Sequence, residues 1–183
     1  MPREATTTRE AIVEGAFELV RREGLDALTA RSLAAELGCS TQPIMYRFPD
    51  LSELREEVYR RADEFHTRYI LEGEDLMGIG LRYVRFAAEE PRLFRFLFQS
   101  GHFDGESLQG LIHAPEVAPV LQAMGPLGSD DLEAAAKTFE CLYVAVHGYA
   151  SLIANNAMDF DELAVEKTLL TIGSALLGEG DTP

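Results

Sequence analysis

Apolar residues recur along this chain at helical rather than alternating spacing, which predicts helices from end to end. Near the N-terminus, Val13, Ala16, Phe17 and Val20 fall at i, i+3, i+4 and i+7, one face of an amphipathic helix. Thr7, with Glu10 three residues on, predicts its capping box, and Arg21, Arg22 and Gly24 predict its end. Leu25 and Leu28 lie in the following link and are expected to fill a small core. A second face comprises Leu33, Ala34 and Leu37 behind Thr29, a cap residue, and Gly38 follows as the terminator. Ile44 and Phe48 mark a third, with Ser40 or Thr41 to cap it and Pro43 in its first turn. From near Asp50 a longer stripe runs through Leu51, Leu54, Val58, Ala62, Phe65 and Tyr69 to about Gly73. At ~1.5 Å per residue that helix would span about 33 Å.

Beyond Asp75, Met77, Leu81, Val84 and Ala88 form another stripe, which stops at Pro91. Leu93, Phe94, Phe96, Leu97 and Phe98 are apolar nearly all round, as in a buried helix. A loop over 100–105, two short helices within 106–124 and a turn cluster at 125–128 are expected next. Two long helices end the chain. Asp130 with Glu133 caps the first, which carries Leu132, Ala136, Phe139, Tyr143, Val146 and Ile153 to about Asn155. Asp159 with Glu162 caps the second, which carries Leu163, Leu170, Ile172, Leu176 and Leu177. Gly148, Ala150, Ala154, Gly173 and Ala175 would allow close helix approach. The expected fold is all-α, with about nine helices and no internal repeat.

Composition narrows this picture. Hydrophobic residues make up 46% of the 183 positions, so the chain is globular rather than disordered. No apolar run reaches the ~18 residues of a membrane span, and the first residues lack a signal peptide's apolar stretch, so a cytoplasmic address is expected. Cys39 and Cys141 are too few for a disulfide framework and are expected as free thiols. The net charge of −15 argues against a nucleic-acid partner until its distribution is considered. Residues 1–68 hold ten arginines against thirteen acids, and residues 69–183 hold six bases against eighteen. Between Arg31 and Arg47 the only acid is Glu36, so that stretch can still meet phosphates, with modest and salt-sensitive affinity.

Two short helices around a tight glycine turn, as over 29–48, are the signature of a helix-turn-helix, whose second helix enters the DNA major groove. The run Ala34-Ala35-Glu36-Leu37-Gly38-Cys39-Ser40 through Phe48-Pro49 sits behind an amphipathic first helix and before a long fourth. It resembles the TetR (tetracycline-repressor-like) family of bacterial regulators, with the motif likeness covering roughly residues 7–58. Met45 stands where the family's recognition helix usually has Tyr, and Tyr46 comes one residue later. Leu51 stands where the family usually has a phosphate-binding Lys.

The resemblance implies a DNA-binding head over 1–50 and, over 51–183, a body that binds a small-molecule effector. It also implies a homodimer through the last two helices and repression relieved by the effector. Arg31, Ser40, Thr41, Gln42, Tyr46 and Arg47 are the DNA-contact candidates. Gln can bond adenine through two atoms, whereas Tyr and Arg suit phosphates. Phe94, Phe98, His102, Phe103, Phe139, Tyr143 and His147 are the effector-site candidates, a few polar groups among apolar ones. The four His and two Cys lack metal-ligand spacing, and neither a nucleophile elbow nor a phosphate loop is present. No metal, cofactor or enzymatic activity is therefore expected. The rival reading is a helical small-molecule-binding or scaffolding protein with a vestigial head, favoured by the acidity and by Leu51.

Overall fold

The computed structural model describes residues 8–101 and 132–178, with side chains of 132–135 and 176–178 excepted. Every regular element among the described residues is a helix, with no strand. The helices are α1 Arg9–Glu23, α2 Ala30–Glu36, α3 Thr41–Arg47, α4 Leu51–Ile70, α5 Leu76–Glu89, α6 Pro91–Gln99, α7 Leu132–Ala154 and α8 Glu162–Gly178, with a 3-10 turn at Leu25–Ala27. Of the expected loop over 100–105 only Ser100 and Gly101 are described, both outside any helix; the rest of it, the short helices within 106–124 and the turn at 125–128 lie outside the described residues. The chain forms two compact units, Met1–Arg68 with Glu90–His102 and Tyr69–Glu89 with Phe103–Pro183. The expected head, 1–50, falls within the first unit, which also takes in most of α4 and all of α6.

In the first unit the core is built by Ile12, Ala16, Phe17, Leu19 and Val20 of α1, Leu28, Leu33, Ile44, Phe48 and the α4 stripe. Ala16, Phe17 and Val20 of the expected α1 face are buried; Val13 is half-buried, and Ile12 and Leu19 are buried beside the other three. The cap of α1 is Thr8, which is extended and whose hydroxyl accepts from the Ala11 amide at 3.1 Å; Thr7, expected in that role, lies outside the described residues.

On α4 the buried line is Leu54, Val58, Ala62 and His66, so a histidine takes the place expected for Phe65, which is half-buried. Phe65 packs edge-on against Phe17, 5.6 Å between ring centres, with the Arg61 guanidinium over the other ring at 4.3 Å. Pro91 opens α6, whose Leu93, Phe94, Phe96 and Leu97 are buried. Arg21 of α1 donates to Glu90 ahead of α6 at 2.9 Å, tying the two helices.

In the second unit α5 packs with α7 and α8. Its buried residues are Tyr83, Val84, Phe86 and Ala87, a face shifted from the expected Met77–Leu81–Val84–Ala88 line. The Arg82 guanidinium lies over the Tyr69 ring at 4.4 Å and its Nε donates to the Tyr69 carbonyl at 2.6 Å. α7 buries Val146, Ala150, Ile153 and Ala154. It ends in a Schellman turn, with Asn156 at φ +56°, its amide on the Ile153 carbonyl and the Ala157 amide on the Leu152 carbonyl.

On α8 the cap is Asp161, which accepts from the Ala164 amide at 3.1 Å, in place of Asp159. Its buried residues are Val165 and Leu169, whereas Leu163 and Leu170 of the expected stripe face solvent. Leu132, Leu176 and Leu177 fall among the side chains not described.

Candidate functional site

The turn between α2 and α3 is held by backbone and caps. Thr29 and Ser32 cap each other, each hydroxyl oxygen accepting from the other residue's amide at 3.1 Å. At the other end Gly38 has φ +62°; its amide bonds the Ala35 carbonyl and the Cys39 amide bonds the Ala34 carbonyl. These are the two bonds of a Schellman turn. Among the described residues nothing lies within 4 Å of a Cβ built on Gly38, so the demand for glycine there is conformational.

Ser40 occupies the cap position of α3, but its hydroxyl makes no capping bond. Ile44 and Phe48 are fully buried and anchor α3 from one side. The opposite side is left to solvent. Thr41, Gln42 and Met45 are exposed, and Tyr46 is 82% exposed. Ser40 and Arg31 are exposed as well, and Arg47 is half-buried. The first unit therefore presents five of the six expected DNA-contact residues outward, and Arg47 in part. Arg47 also acts electrostatically on the Glu10 carboxyl, which is held below its ordinary range first by its own backbone amide and by Thr8.

A residue noted in the sequence only for its charge, Arg9, frames this surface. Its Nη1 donates to the Arg47 carbonyl at 3.1 Å, its Nε to Glu57 at 2.9 Å, and its Nη2 to Glu53 and Glu57. The guanidinium carbon sits 4.2 Å from the centre of the Phe48 ring. The signal available in the sequence was weak: one arginine in the first turn of α1, and two glutamates four apart on α4.

The effector-site candidates fall in both units. Phe94, fully buried, and Phe98 pack together in the first, 4.9 Å apart, and the buried His66 meets Phe98 edge-on at 5.2 Å. In the second, Phe139, Tyr143 and His147 stack along α7, with centres 6.1 and 5.7 Å apart. Tyr83 of α5 joins them, its ring edge-on to Tyr143 at 6.0 Å and its hydroxyl 2.9 Å from His147 Nδ1. Burial pushes the Tyr143 hydroxyl up and holds His147 below its ordinary value. His102 and Phe103 lie outside the described residues. Tyr83 escaped the sequence reading because the α5 stripe was placed on the wrong neighbours.

Cys39 is half-buried and Cys141 exposed, both as free thiols. Among the described residues no helix is long and apolar enough to cross a membrane.

Two likenesses to known proteins bear on the chain's family. Residues 76–171 match the family described as tetracyclin repressor-like, C-terminal domain. Over 166 residues the chain is 28% identical to an uncharacterized HTH-type transcriptional regulator of Mycobacterium tuberculosis, covering 86% of this chain and 75% of that protein.

Proposed function

Since the chain belongs to the tetracycline-repressor-like family of transcriptional regulators, we propose that it binds an operator through α3 and represses transcription until a small molecule releases it. The observation that carries this reading is the outward face of α3. Thr41, Gln42, Met45 and Tyr46 are exposed, while Ile44 and Phe48 fix the helix from behind. A tyrosine left 82% in solvent on a firmly anchored helix suits a partner surface. Gln42 is the residue best suited to a base edge; Arg31, Arg47 and the Tyr46 hydroxyl suit phosphates.

The second unit supplies the rest of the proposal. The Phe139–Tyr143–His147 stack with Tyr83 combines flat apolar area with hydroxyl and imidazole groups, the composition of a site for a weakly polar aromatic or amphipathic effector. Leu163 at 75% exposed, with Val144, Leu152 and Leu170 also exposed, offers apolar area on α7 and α8 for a second copy of the chain. The effector must favour one state of the dimer, because equal affinity for both would shift nothing.

A mobility-shift series over increasing salt, using the DNA that flanks the protein's own gene, tests the proposal. Selective, salt-weakened binding supports it. Equal or absent binding to flanking and random DNA would leave the vestigial-head alternative, which the net charge and Leu51 favour.

A further inference from the structure

We propose that Arg9 is a positioning residue for the recognition helix, clamping the C-terminal end of α3 to α4; the inference rests on the DNA-binding reading above. Three contacts from one guanidinium carry it. The Arg47 carbonyl is one of the last four of α3, which have no partner within the helix, and Arg9 Nη1 donates to it at 3.1 Å. A positive group there also faces the negative end of the α3 dipole. The guanidinium plane covers the ring of Phe48, the residue that ends α3 and is fully buried. The remaining donors go to Glu53 and Glu57, one turn apart on α4.

Arg9 itself is the first residue of α1, just past the Thr8 cap, so its backbone is fixed by a helix start. Its side chain thus joins α1, the end of α3 and the first half of α4 at a single point. A planar fork with five donors can serve a carbonyl and two carboxylates together; a lysine ammonium on a flexible stem cannot hold that geometry. Since α3 has only seven residues, a small tilt at its C-terminal end moves Gln42 and Tyr46 relative to a base edge. The clamp therefore sets sequence selection, while general attraction to phosphates rests on other arginines.

The test uses the full chain and its Arg9→Ala, Arg9→Lys and Glu57→Gln variants. Hydrogen exchange is followed at 41–48 and, as internal reference, along α1. Binding is measured to the DNA flanking the gene and to a random-sequence duplex of equal length, each at several salt concentrations. For Arg9→Ala the expected result is exchange at 41–48 faster by about tenfold with α1 little changed, and preference for the flanking DNA reduced by about tenfold, the scale of one charge-assisted hydrogen bond. Binding to the random duplex and its salt slope should stay as in the parent. Arg9→Lys and Glu57→Gln should fall between.

Exchange that is unchanged, or that rises in step across α1 and 41–48, overturns the clamp and leaves Arg9 a general stabiliser. A salt slope lower by about one unit overturns it too, making Arg9 a phosphate contact. If the parent prefers neither duplex, the DNA reading itself falls, and exchange at 41–48 alone decides whether Arg9 seats α3.

Discussion

The Tyr83 hydroxyl lies 2.9 Å from His147 Nδ1, joining α5 to α7 inside the second unit. Burial holds His147 below its ordinary value and so favours the neutral ring, whose tautomer sets which of the two groups donates. Tyr83→Phe keeps the ring against Tyr143 and removes the hydroxyl that reaches His147. The expected cost is about 1 kcal/mol, the usual net worth of such a bond. Urea titrations of Tyr83→Phe, His147→Phe and the double variant would show it as a coupling between the two sites. Additive losses would mean that the two groups merely sit side by side.

His66 gives the first unit a defined response to acid. It is 5% exposed on α4, and burial lowers its pKa from 6.5 to about 4. The fold therefore favours the neutral ring. Above pH ~6.5 neither folded nor unfolded chain protonates it, and its contribution is fully present. Between pH ~6.5 and ~4 the unfolded chain takes the proton first, so stability falls with pH, by up to roughly 3 kcal/mol at the lower end. His66→Leu should remove this part of the slope. A variant with the same loss as the parent between pH 6.5 and 4 would show that carboxylates alone set the acid limit.

On α3, Gln42→Ala should weaken binding to the flanking DNA by ~1–3 kcal/mol and relax preference at one base position. Arg47→Ala should weaken all duplexes alike and lower the salt slope by about one unit. The second change leaves the backbone carbonyl that Arg9 uses, so it reports on the side chain alone. Gel-shift isotherms at several salt concentrations separate the two patterns. Parent-like binding by both variants would move the interface off this helix.

Local chemistry made the helix-turn-helix legible. Thr29, Gly38 and Pro43 each demand one backbone position, and Ile44 and Phe48 leave a single way to bury α3. The effector residues were less legible, because ring stacking on α7 depends on what α5 places opposite. Where two apolar residues adjoin, as at Ile12-Val13 or in the α5 run, period alone does not choose the inward one. Arg9 was beyond reach for a different reason: its partners are 38 to 48 positions away, and only the fold brings them together. On α8, Leu163 and Leu170 match a core stripe by hydrophobicity, yet the core within one chain takes Val165 and Leu169. A stripe does not say whether its partner is the same chain or another.

That ambiguity at α8 becomes a test of assembly. Among the described residues, a Cβ added at Gly148 or Gly173 meets nothing within 4 Å. Both glycines lie inside helices, so a larger residue should raise helix propensity by about 0.5–1 kcal/mol where nothing else intervenes. In an isolated chain Gly173→Leu is therefore harmless or mildly stabilising. In a dimer that closes through α7 and α8 the same change enters from both subunits, because a two-fold seam repeats every contact. A leucine at a close helix approach would push the seam apart. The expected outcome is a monomer, or a dimer weakened by at least tenfold, by sedimentation, with the helical content by circular dichroism kept. Gly148→Leu should act in the same direction. A dimer of unchanged strength with both leucines in place would put the interface elsewhere and leave the exposed Leu163 and Leu170 to a different partner.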